Sequence, residues 1–105
     1  MENELYYHDG NFVSINFSGF DKVSKIEIIL QLKITGSSNR EEYSLQATEV
    51  TRFSLIGDFS EIVKNHWAGS IEDGHIVDIE NAQRLTLKLT GGYIEIFGNI
   101  IVNKL

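Results

Sequence analysis

Residues 84–105 read Arg-Leu-Thr-Leu-Lys-Leu-Thr-Gly-Gly-Tyr-Ile-Glu-Ile-Phe-Gly-Asn-Ile-Ile-Val-Asn-Lys-Leu. Leu85, Leu87 and Leu89 alternate with Thr86, Lys88 and Thr90, so a strand here puts leucines on one face and polar groups on the other. Gly91-Gly92 and Gly98-Asn99 are two-residue pairs that tolerate positive φ, as tight hairpin turns require. On that reading the chain closes with a three-stranded antiparallel meander.

The same period of two recurs upstream. Residues 25–35 place Ile26, Ile28, Leu30, Leu32 and Ile34 on one face and Lys25, Glu27, Gln31 and Lys33 on the other, with Ile29 the exception. Alternation sustained this far argues against a helical period. Leu5-Tyr6-Tyr7 and the alternating residues 12–17 flank Asp9-Gly10-Asn11, a turn cluster, and read as a first hairpin. Residues 43–56 read as one long or two short strands. Tyr43, Leu45, Ala47, Phe53 and Leu55 share a parity that Val50 breaks, and a bulge or bend near residues 48–51 reconciles them. Asp73-Gly74 reads as a turn that splits residues 71–80 into a stub and a strand.

One helix is expected, near residues 58–67. Asp58 can cap it, Glu61 follows three residues later, and Gly69 supplies a stop. Phe59, Ile62 and Val63, with His66 or Trp67, would face the sheet. The fold class is therefore mainly β: an antiparallel sandwich or small barrel of about seven to nine strands, with one short helix and the C-terminal meander. The 105 residues suit a single domain.

Composition narrows the function classes. There is no cysteine, which excludes a disulfide framework, a thiolate metal site and a thiol nucleophile. The N-terminus is acidic and lacks the apolar run of a secretory signal, and no apolar stretch is long enough to span a bilayer. A cytoplasmic protein without membrane contact is expected. The net charge of −6 is uneven: residues 1–21 and 65–83 each carry four acids and no Lys or Arg. Nucleic acid is disfavoured, because binding it rests on neutralising phosphates. An acidic surface favours a basic protein partner.

His8-Asp9 and Asp73-x-His75 each set an imidazole beside a carboxylate, the arrangement that orients a catalytic base. Asp also favours turns for its own reasons, and no Gly-x-Ser-x-Gly nucleophile motif accompanies either pair. A metal site could draw on His75, Asp78 and Glu80, but a strand would turn Asp78 and Glu80 to one side and His75 to the other. No catalytic residue, metal or cofactor is assigned. The candidate partner-binding residues are Tyr7, His66, Trp67, Glu72, Asp73, His75, Asp78 and Glu80, which combine the second acidic stretch with nearby aromatic and histidine side chains. Trp67 has a competing role as a plug between helix and sheet.

An acidic, cysteine-free, all-β chain in which Trp67-Ala68-Gly69-Ser70-Ile71-Glu72-Asp73-Gly74 leads into a Leu-rich ending resembles small bacterial β proteins, some of the toxin-immunity type. The resemblance implies a function class, neutralisation of a basic toxin through an acidic surface, and assigns no residue. Two other classes compete. One is a β-barrel holding a small apolar ligand in an internal cavity. The other is a minor hydrolase-type enzyme using His8, His66 or His75.

Overall fold

The computed structural model describes residues 5–20, 24–34, 36–65 and 69–105. Six strands and one helix follow in the order β1 (Leu5–Ser18), β2 (Lys25–Ile34), β3 (Glu41–Gly57), α1 (Phe59–Asn65), β4 (Ile71–Ile79), β5 (Ala82–Leu89) and β6 (Gly92–Lys104). The strands form one antiparallel sheet in the order β1-β2-β3-β6-β5-β4. Two meanders, β1-β2-β3 and β4-β5-β6, thus join through their last strands. The sheet curls into a half-barrel whose concave face is the core.

Cross-strand rows show how the alternating apolar residues build that core. Ile28 lies opposite Leu45, and Leu45 opposite Val102. Leu85 lies opposite Ile96, and Leu87 opposite Ile94. Ile28, Leu30, Leu32, Leu45, Leu87 and Ile96 are almost wholly removed from water, each such side chain stabilising the fold by about 1.5–3 kcal/mol.

The described residues form six strands rather than seven to nine, because several turn-like clusters are bulges within strands. Gly98-Asn99 is not a hairpin turn: β6 runs through it unbroken, and the expected three-stranded meander is β5 and β6 alone. Opposite Gly98, between Thr48↔Asn99 and Arg52↔Phe97, β3 advances four residues while β6 advances two. This is the bulge expected near residues 48–51, and Glu49 takes a positive φ of 50° within it. Ser24 Oγ donates to the Val50 carbonyl (3.1 Å), and Gln83 Oε1 accepts the Ile100 N–H (2.9 Å), so backbone groups around the bulge remain bonded. Asp9-Gly10-Asn11 is likewise no hairpin loop. It lies within β1, where five residues span two of β2, with Asp9 at φ 67°. Asp73-Gly74 does not split β4, which carries only a one-residue bulge between Ile71 and Asp73. Bulges bend a sheet and raise its twist, and these give the curl. The true two-residue turns are Glu80-Asn81 and Thr90-Gly91, with Asn81 at φ 64° and Gly91 at φ 91°.

The helix forms where expected and is capped as expected: Asp58 Oδ1 accepts the Glu61 N–H at 3.1 Å. The Asp58 N–H donates to the Gly91 carbonyl, which ties the helix start to the β5–β6 turn. Its packing differs from the sequence expectation. Among its described residues none is buried; Ile62 is half-buried, its tip lying in a notch left by Gly57 and Gly92. Phe59 is 81% exposed and Val63 is half-exposed, so these two do not face the sheet as the sequence pattern suggests. Residues 66–68 lie outside the described residues. Among the described residues, no helix is long and apolar enough to cross a membrane.

Candidate functional site

The curl brings the two outermost strands together. Among the described residues no ladder joins β1 to β4; side chains do. Asn11 is buried, its Nδ2 donating to Gln31 Oε1 (2.9 Å) and its Oδ1 accepting the Gly69 N–H (2.8 Å). Ser70 is buried as well, and its Oγ accepts the Phe12 N–H at 3.1 Å. Gly10 is needed here, because a Cβ would stand 2.6 Å from Leu32 Cδ2 and 2.9 Å from the Gln31 carbonyl. Gly74 is needed too, since the Tyr7 ring packs over it, 2.9 Å from where a Cβ would sit. Glycine thus permits the close approach on both strands.

Around this seam stand Asp9, Glu72 and Asp73, with Tyr6, Tyr7, His8 and His75. His8 Nδ1 lies 2.7 Å from the Glu72 carbonyl. A carbonyl only accepts, so Nδ1 carries the proton and Nε2 is left facing Asp9 Oδ1 at 3.7 Å. Tyr6 meets the His8 ring edge-on at 5.9 Å. Asp73 Oδ1 accepts the Gly74 N–H at 2.9 Å, and its other oxygen lies 4.0 Å from His75 Nδ1. Two bases flank the acids: Lys88 Nζ is 3.9 Å from Glu72 Oε1, and Arg40 Nε donates to the Asp9 carbonyl at 2.8 Å.

Of the residues singled out from sequence, Tyr7, Glu72, Asp73 and His75 meet at the seam. Asp78 and Glu80 lie toward the other end of β4, where Gln83 Nε2 reaches Asp78 Oδ1 at 3.4 Å and Glu80 enters the turn. Asp78 and His75 have opposite parity on β4, as a strand requires. His66 and Trp67 lie outside the described residues. Asn11 and Ser70, which hold the seam, carry no signal in the sequence beyond their turn-like neighbours.

Ser70 Oγ is enclosed and engaged, and one nitrogen of His8 is committed to a carbonyl. Among the described residues, no three His, Asp or Glu side chains are gathered closely enough to hold a metal ion.

Burial of the Tyr7 phenol pushes its pKa above the ordinary value. The unfolded chain releases that proton from about pH 10, while the folded chain keeps it. Above that pH the unfolded state binds fewer protons, so stability falls as pH rises toward the folded pKa; below it the group contributes nothing. Urea midpoints measured from about pH 9 to 11 are expected to fall more steeply for the native chain than for Tyr7→Phe. Equal slopes would show that Tyr7 ionises equally in both states.

A second feature borders the seam at Phe12. Residues 52–57 of β3 pair with β6 but extend past the end of the β2 ladder at Thr48. Phe53 and Leu55, though opposite the buried Ile96 and Ile94, are therefore nearly half exposed. Between this extension, α1 and β1 runs an apolar groove of about 320 Å³, lined by Phe12, Ile15, Leu55, Phe59 and Ile62 among others. The buried side chains form one cluster on the concave face, and this groove opens beside it.

No protein-family model, characterised protein or solved structure matches the chain significantly.

Proposed function

We propose that this protein is a protein-binding module that receives a basic partner at the β1–β4 seam, its sharpest form being immunity to a basic toxin. One observation carries the reading. The two acidic stretches meet where His8 bonds the backbone of Glu72, 64 positions away in sequence, and Asp9, Glu72 and Asp73 are exposed there. Carboxylates gathered beside an exposed tyrosine raise the encounter rate with a cationic surface and offer it an anchor. Asp78, farther along β4, and Glu80, in the turn that follows, add carboxylates beyond the seam.

The test is co-purification, near physiological salt, with the product of a toxin-like gene beside its own. The native chain is expected to form a complex. The variant carrying Asp9→Lys, Glu72→Lys and Asp73→Lys is expected to bind at least about tenfold more weakly, with an unchanged circular dichroism spectrum. Binding that the variant retains would move the interface off the seam, and no complex would reject the immunity form.

The groove favours a second reading, a site for a small apolar ligand. A fluorescent hydrophobic probe would then bind the native chain and be lost on Leu55→Asp; an unchanged signal would refute it.

A further inference from the structure

The convex face of the sheet carries an array of the opposite sign. By register, Arg52 of β3, Phe97 of β6, Arg84 of β5 and Val77 of β4 form one cross-strand row. Arg52 Cζ lies 4.9 Å from the centre of the Phe97 ring, within the range of a cation–π contact. Arg84 lies on the strand at the other side of Phe97. Its Nε is enclosed and has no hydrogen-bond partner.

Neither arginine has a carboxylate within ion-pair distance among the described residues, although Lys88, Lys104 and two histidines do. This is unexpected in a chain with fifteen acids and nine bases. Glu95, which shares the parity of Phe97 on β6, accepts the Tyr93 hydroxyl at 3.2 Å instead. Two like charges therefore flank one ring, two strand spacings or about 10 Å apart, with a buried donor left unsatisfied.

We propose that the Arg52–Phe97–Arg84 row is a docking site for the carboxylates of an acidic segment on a partner protein. A guanidinium offers a planar fork that pairs with a carboxylate through two parallel hydrogen bonds, and Nε belongs to one such fork. Turning the end of the Arg84 side chain outward would give the enclosed Nε the acceptor it lacks. Arginine and aromatic residues together are the composition that dominates binding energy at protein interfaces. Arg52 also borders a separate, mainly apolar pocket of about 220 Å³ that Arg84 does not reach, and the two guanidinium groups, about 10 Å apart across two strand spacings, lie too far apart for one small carboxylate to engage both. A polynucleotide fits less well. A guanidinium already occupies the Phe97 ring where a base would stack, and Glu95 would oppose a continuous phosphate chain. The site is distinct from the acidic seam and does not depend on it.

The test is titration of the full chain with a decaglutamate peptide, followed through the side-chain Nε–H signals of Arg52 and Arg84 in nitrogen–proton spectra. Both signals are expected to shift and saturate, with binding weakened at least about tenfold when both are replaced, R52Q with R84Q. Arg52→Gln alone, at an exposed position, is expected to weaken binding with the fold intact, which separates the effect from misfolding. Raising the salt should also weaken it. Absence of any shift at about 1 mM peptide, a concentration at which even millimolar complexes are half-formed, would overturn the proposal. So would retained affinity in the double variant, or an equal response to an oligothymidylate.

Discussion

Gly98→Val is expected to destabilise the fold by about 3 kcal/mol, lowering the thermal midpoint by roughly 10–20 °C. Gly98 is buried in the middle of β6 and faces the β3 bulge. A Cβ there would stand 2.8 Å from the Thr48 carbonyl oxygen and 3.2 Å from Val50 Cα. Both are backbone atoms and cannot swing aside as a side-chain tip can. The bulge would have to open, straining the Ser24 bond to Val50 and the Gln83 bond to Ile100. Thermal and urea unfolding measure the effect, and a loss under about 1 kcal/mol would show that the bulge yields freely.

Leu87→Ala is expected to cost about 2–5 kcal/mol, since Leu87 is wholly buried and its removal leaves a cavity. Its neighbour across the ladder makes the case sharper. A Cβ on Gly74 would lie 2.7 Å from Leu87 Cδ2 and 2.9 Å from the Tyr7 ring. Gly74→Ala alone should therefore overpack the seam and cost about 1–3 kcal/mol. In the Leu87→Ala background the new methyl enters vacated space, and its cost should shrink by about 1 kcal/mol or more. Strict additivity in the double-mutant cycle would mean that the two sites do not share this space.

The strands were legible in the sequence, and the irregularities between them were partly so. Alternation from Ile26 to Ile34 translates directly into β2, and the Asp58 cap into α1. The β3 bulge follows from Val50 breaking a parity that Phe53 resumes. Glycine gave the errors, because it marks either a turn or a close backbone approach, and one sequence does not say which. At Gly98 a deciding signal was present: Ile94, Ile96, Ile100 and Val102 keep one parity straight through it, as an uninterrupted strand does. At Gly10 and Gly74 the deciding atoms belong to Leu32, Leu87 and Tyr7, which only the curled sheet brings near. The meeting of the acidic stretches is likewise a product of the curl. The Arg52–Phe97–Arg84 row was hidden because the bulge sets the register that aligns Arg52 with Phe97.

The seam also bears on how copies of this chain treat one another. The outermost strands of an open sheet present unpaired backbone groups that invite a neighbour's strand, the first step toward aggregation. Here β1 and β4 turn toward each other, and the irregular backbone at Asp9-Gly10 and after Ile71 denies an incoming strand a straight ladder. A half-barrel held by Asn11 and Ser70 thus guards its margins without the full ring of strands that a closed barrel needs.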